Sequence, residues 1–343
     1  MSNFPMIVGS QEMKDRLGET IRSHRLSHAY LIEGRRGSGK KMLARQIAAA
    51  ISCERIDDRT ADLPCSCCDT CKRILGDKTP DVRYVGRGDK ATLSVDTIRE
   101  LRSEMALSST ELEFKTFVID DAETMTPAAQ NALLISLEEP PPNVLILLLA
   151  ETAEALLPTI RSRVQLLRMG YVDDSAMRSH LLAESRDAAQ LQKNSPDKLD
   201  AVISASDGRI GEAMRLLTSK TQGELLKKRQ IVTELVIAFA EAKSFSSIYS
   251  AIAKLPSKRA ELSELLTLAC DAMRDLCSIR RFPEAKLLFF LDRNEVSSLA
   301  SRADIYRLFR TETALRRALG DLAANANVQI TLTALATAAF AVD

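Results

Sequence analysis

Three groups of residues in this 343-residue chain combine types and spacings that could do chemistry. The first is Gly34-Arg35-Arg36-Gly37-Ser38-Gly39-Lys40-Lys41. A phosphate-binding loop reads G-x-x-x-x-G-K-[ST]: glycines let backbone N–H groups curl around phosphates, Lys neutralises the β/γ charge, and a hydroxyl ligates Mg²⁺. Here Gly34, Gly37, Gly39 and Lys40 suit that work, but Lys41 holds the hydroxyl position. An ammonium has only donors, so it cannot ligate a metal ion, and it brings a second positive charge to where Mg²⁺ would sit.

The second group is a cysteine cluster. Seven cysteines are an odd number, and five of them lie between Cys53 and Cys71, which points to metal binding in a reducing compartment rather than to a disulfide framework. Zinc takes four tetrahedral thiolate or imidazole ligands; Cys65, Cys68 and Cys71 in C-x₂-C-x₂-C spacing supply three, and Cys53 is the natural fourth. Cys67 is a rival for one of those places. A catalytic C-x-x-C is disfavoured because the cluster follows a glycine-loop helix instead of opening a helix in a thioredoxin-like unit. The third group is Asp120-Asp121, at the end of the apolar run Thr116-Phe117-Val118-Ile119. Acids at that place hold Mg²⁺ and polarise the attacking water in P-loop ATPases, although the usual Asp-Glu pair is here Asp-Asp. The competing reading is that they cap the following turn.

These groups need elements to hold them. Ala29 to Glu33 reads as a short buried strand running straight into the glycine loop, and Met42, Leu43, Ile47 and Ile51 among alanines form a helix able to pack close on a sheet. Residues 10 to 23 suit a charged surface helix, Val82 to Val85 a strand, and Ser94 to Leu107 a helix. Thr126-Pro127 is a helix start, Pro140-Pro141-Pro142 a stop, and Asn143 to Ala150 a fully buried strand. Strands alternating with helices give a three-layer α/β sandwich with a parallel sheet. Leu156 to Val164 then places Arg161 and Arg163 beside an extended Val164-Gln165-Leu166. From about Tyr171 strand signals mostly stop. A small helical domain over 171–219, including the Gly-punctuated run from Ala205 to Met214, precedes a second one over 220–343, with helices at Leu225 to Ala242, Glu261 to Arg280 and Ile305 to Leu322.

Composition bounds the function classes. A formal charge of +1 argues against a strongly basic nucleic-acid binder, so DNA contact would come from a local patch or a larger assembly. The N-terminal residues lack a signal peptide's pattern and no apolar run has membrane-spanning length, so a soluble cytoplasmic protein is expected. The three histidines, His24, His28 and His180, are too scattered for a nucleophile-base constellation.

With these pieces placed, the chain resembles the bacterial DNA polymerase III clamp-loader subunits of the AAA+ class, most closely their delta-prime branch. The carrying residues are His28 to Ile32, the loop 34–41, the cysteine cluster, Asn131 to Leu134 through Glu138-Glu139-Pro140-Pro141, and Thr159-Ile160-Arg161-Ser162-Arg163. The resemblance implies an AAA+ P-loop NTPase-like domain over 1–170 with a Zn²⁺ insertion near 52–75, a helical lid over 171–219, and a C-terminal collar over 220–343. It implies a hetero-pentamer with gamma/tau and delta subunits that loads a sliding clamp onto primed DNA. Lys41 separates this chain from the family's ATP-hydrolysing motors, whose loop ends in Thr, and Gly211 stands where motors carry a lid arginine. ATP hydrolysis by this chain is therefore not expected. Arg163 occupies the position of the arginine that the family's Ser-Arg-Cys motif presents to a neighbour's ATP, with Val164 in place of Cys. The alternative is an ATP-hydrolysing gamma/tau-like motor or another AAA+ ATPase, in which Asp120 and Asp121 rescue metal binding.

Overall fold

The computed structural model describes residues 2–88, 92–217, 219–242, 244–285, 287–290 and 292–340. It divides into two compact units, Met1–His180 with Gly208–Glu212, and Leu181–Asp207 with Ala213–Asp343.

The first unit is organised by five strands, β1 (Ala29–Glu33), β2 (Val82–Val85), β3 (Lys115–Ile119), β4 (Val144–Ala150) and β5 (Gln165–Arg168). All pairs are parallel and the order is β2-β3-β4-β1-β5. β4 is buried along its whole length, because a parallel strand inside a sheet is covered on both faces. Its side chains divide by alternation: Leu145, Leu147 and Leu149 join Tyr30, Ile32 and Val118 in one core, whereas Ile146, Leu148 and Ala150 join Leu31, Phe117 and Ile119 in the other. Helices α1 (Gln11–Arg22), α2 (Lys40–Ile51) and α3 (Asp69–Leu75) close the first core. Helices α4 (Val95–Met105), α5 (Pro127–Glu138) and α6 (Pro158–Arg161) close the second, so the unit is a three-layer α/β sandwich. Helix α5 starts as its sequence demands: the Thr126 hydroxyl accepts from the Ala129 amide at 3.2 Å and Pro127 occupies the first turn.

The chain is helical from residue 174 onward, in α7 (Asp174–Glu184), α8 (Arg186–Asn194), α9 (Pro196–Ser206), α10 (Ile210–Leu216), α11 (Ser219–Ala240), α12 (Phe245–Ile252), α13 (Arg259–Arg281), α14 (Arg293–Arg302), α15 (Ile305–Ala323) and α16 (Val328–Phe340). Helix α13 is the centre of the second unit's core. Leu262, Leu266, Ala269, Met273 and Leu276 recur at three- and four-residue spacing and are fully buried. A buried carboxylate sits on the same helix: Asp275 accepts N–H bonds from Leu288, Phe289 and Phe290 at 2.7 to 3.1 Å, tying that segment to α13. The Arg229 guanidinium lies 4.5 Å from the centre of the Phe289 ring. Among the described residues, no helix is long and apolar enough to cross a membrane.

Candidate functional site

Loops leaving the C-terminal ends of parallel strands form the usual ligand crevice of an open α/β sheet, and both the glycine loop and the two aspartates leave strands β1 and β3 at that edge. Between β1 and α2 the chain needs two left-handed turns, at Gly37 (φ 82°) and Gly39 (φ 98°), a backbone that side chains with a Cβ rarely adopt. Lys40 folds back onto its own loop, donating from Nζ to the Gly34 carbonyl at 2.5 Å and the Arg35 carbonyl at 3.4 Å. Burial pushes its ammonium below the ordinary lysine range, with the carboxylates of Glu151, Glu123, Asp120 and Asp121 pulling the other way.

Lys41 Nζ lies 2.7 Å from Asp120 Oδ2. Asp121 Oδ2 is met by Arg87 Nε at 3.3 Å. Asp120 and Asp121 thus each face a cation of the same chain. The carboxylate of Asp121 makes no capping bond to the short turn that follows it; the turn is closed instead by the Asp121 carbonyl, which accepts from the Thr124 amide and hydroxyl. The cleft around these groups holds about 510 Å³. On its walls Arg36, Lys40, Lys41 and Arg87 are matched by Asp120, Asp121, Glu123 and Glu151. These residues do not fit Mg²⁺, which requires oxygen ligands where Lys41 supplies an ammonium.

Gly211, at the start of α10, closes on the same loop. Its amide donates to the Gly37 carbonyl at 2.9 Å, and a Cβ placed on it would stand 3.0 Å from that oxygen. A side chain at position 211 would press on this loop, which would have to give by a few tenths of an ångström.

The cysteines form a second centre. The sulfurs of Cys53, Cys65, Cys68 and Cys71 all lie within 4.8 Å of one another, and those of Cys65 and Cys71 are 3.9 Å apart. Tetrahedral Zn²⁺ with Zn–S near 2.3 Å places its sulfurs about 3.8 Å apart, so this set fits the ion. The turn is shaped by amide-to-sulfur bonds, Cys68 N to Cys65 Sγ and Cys71 N to Cys68 Sγ, both 3.4 Å. Cys53 is pulled down to about 5, chiefly by the Cys71 thiol donating to it, and Cys71 moves up correspondingly. Cys67 is exposed and outside the group, with its sulfur 3.9 Å from Arg55 Nη1.

Arg163 follows α6 on a short turn. Its Nη2 is 2.8 Å from Glu138 Oε1, and its Nη1 donates to the Thr159 carbonyl at 3.0 Å and the Ser162 hydroxyl at 3.2 Å. Neither Glu138 nor Arg87 carries a motif signal as a partner. Only the folded chain brings Glu138 at the end of α5 to Arg163, or Arg87 after β2 to Asp121.

Residues 9–173 match the family described as "DNA polymerase III, delta subunit". The DNA polymerase III subunit tau of Bacillus subtilis (strain 168) is 30% identical over 226 residues, 65% of this chain and 39% of that protein. The subunit delta' of the same organism is 34% identical over 168 residues, 49% of this chain and 50% of that protein. The chain therefore spans half or less of the length of these relatives. A solved DNA polymerase III gamma-subunit-related protein from Thermotoga maritima aligns over 84% of this chain and 98% of its own, at 18% identity and a TM-score of 0.41. At that score the likeness adds nothing to the strand order given above.

Proposed function

From the premise that residues 9–173 belong to the DNA polymerase III clamp-loader family of AAA+ proteins, we propose that this chain is a delta-prime-like stator that hydrolyses no ATP of its own and lends Arg163 to a neighbouring motor subunit. The observation that carries this reading is the ion pair between Lys41 and Asp120. A protein ammonium stands where the motor's metal would bind, and it engages the carboxylate that would hold that metal. The Gly37 to Gly211 backbone contact supports the reading independently, since a Cβ at position 211 would crowd the Gly37 carbonyl at 3.0 Å.

In this reading residues 171–219 form the lid and 220–343 the collar of a hetero-pentamer with gamma/tau and delta subunits. That assembly loads a sliding clamp on primed DNA in the cytoplasm. Arg163 stabilises charge on the phosphoryl group transferred in the neighbour's site, as an arginine finger does. Cys53, Cys65, Cys68 and Cys71 hold a structural Zn²⁺ that supplies a rigid knuckle against α2, where the Cys71 thiol also faces the Ala49 carbonyl at 3.7 Å.

The motor reading draws on one specific observation, that the match to tau runs over more of this chain than the match to delta'. Steady-state ATPase assays separate the two. A stator shows no turnover alone, and Arg163→Ala lowers the DNA-stimulated turnover of the assembled complex. Turnover by the purified chain that Lys40→Ala abolishes establishes a motor.

A further inference from the structure

We propose that Glu138 is a parking acid for Arg163, holding the guanidinium within its own subunit until a neighbour's phosphate displaces it; this rests on the arginine-finger reading above. The geometry is specific. The Nη1 bonds to the Thr159 carbonyl and Ser162 hydroxyl come from residues on the same turn and fix the plane of the guanidinium. The Glu138 contact, at 2.8 Å on Nη2, is the one bond in this set to a group of opposite charge. A phosphate oxygen competes for that same kind of donor, because carboxylate and phosphate are alternative partners for one guanidinium edge. While Glu138 holds Nη2, the pair is neutral and exerts little pull on a distant phosphate.

The exposure of the pair sets the strength of the parking. Arg163 is 37% and Glu138 49% exposed, so water screens their attraction and the pair is readily opened. An exposed pair of this type is worth at most about a fivefold bias in an equilibrium. The device therefore tunes the finger and does not lock it: it suppresses turnover when the neighbouring site is loosely formed, and it yields when the site closes. Glu138 is a positioning residue that acts through Arg163 and touches no substrate.

The test uses the assembled complex and the isolated chain. In the complex without DNA, Glu138→Gln raises ATP turnover about two- to fivefold, the gain disappears in high salt, and Arg163→Ala/Glu138→Gln behaves as Arg163→Ala alone. In the isolated chain, phenylglyoxal, an arginine-directed dicarbonyl, modifies Arg163 faster in Glu138→Gln than in the unaltered protein, as read by peptide mass spectrometry. A merely structural role for Glu138 would lower turnover and thermal stability whether or not Arg163 is present. If Arg163→Ala lowers turnover but Glu138→Gln raises neither turnover nor Arg163 modification, parking is overturned and the finger stands. If Arg163→Ala leaves turnover unchanged, the finger reading falls and parking falls with it, even if the modification rate changes.

Discussion

Replacing Lys41 with threonine removes the ammonium and restores the hydroxyl, and the structure sets an upper scale for the gain in metal affinity that comes from charge alone. A divalent ion held by Asp120 would lie about 4 Å from the Lys41 ammonium. A single and a double positive charge at that distance repel by about 2 kcal/mol in bulk water and about 8 kcal/mol at an effective dielectric constant near 20. The Lys41 side chain is 64% exposed, so the solvent limit applies, and about 2 kcal/mol corresponds to roughly a 30-fold change in affinity. Lys41→Thr is therefore expected to raise Mn²⁺ affinity by up to about 30-fold, measured by electron paramagnetic resonance titration with and without ADP. Arg87 still covers Asp121 and position 211 still lacks an arginine, so on the stator reading the same variant is expected to show no ATP turnover. Metal affinity unchanged within about threefold, a small fraction of the bound above, would refute the argument that Lys41 is what excludes the ion.

Other perturbations act at separate places. Metal analysis of the purified chain should find one zinc, retained in Cys67→Ser and lost in Cys53→Ser or Cys68→Ser, since only the latter two belong to the four-sulfur group. Asp275→Ala leaves the amides of Leu288, Phe289 and Phe290 without their acceptor, and although it relieves the cost of burying a carboxylate it should still cost about 1–3 kcal/mol in urea unfolding. A loss below about 1 kcal/mol would mean that water replaces the carboxylate there. Gly211→Arg should lower thermal stability by the equivalent of about 1–3 kcal/mol, because its Cβ meets the Gly37 carbonyl oxygen at 3.0 Å; a melting temperature that does not fall counts against the tight contact.

The sheet was legible because its signals are local. Ala29 to Glu33 and Val82 to Val85 form strands with the limits their sequence implies, and the apolar run ending at Ile119 closes where the aspartates begin. The fully buried character of Val144 to Ala150 was also visible, since a run of leucine and isoleucine with no polar alternation has only a two-faced parallel position to occupy. The edge strand was less plain. The extended segment expected at 164–166 lies at Gln165–Arg168, where three of the four residues are exposed and carry no burial pattern.

The sites divide in the same way. Spacing pointed to the Cys65, Cys68 and Cys71 turn and to Cys53, and it left Cys67 as a rival that the folded chain places outside the sulfur group. The loop's missing hydroxyl was readable, but the partner of Lys41 was not: Asp120 is far away in sequence and arrives only through the sheet order. Arg87 and the buried Asp275 gave no signal, and Glu138 stood out only as part of the Glu138-Glu139-Pro140-Pro141 stretch, not as a partner of Arg163. Their meaning lies in tertiary neighbours, and a charged residue at the end of a helix or strand reads as solvated until those neighbours are known.

The most direct measurement of the stator account is ATP turnover by the purified chain, followed by turnover of the assembled clamp loader carrying Arg163→Ala. The account predicts no hydrolysis by the chain alone and a DNA-stimulated rate in the mutant complex that falls by the share of the site Arg163 serves. Hydrolysis by the isolated chain that disappears in Lys40→Ala, together with an unaltered rate in the Arg163→Ala complex, would contradict it.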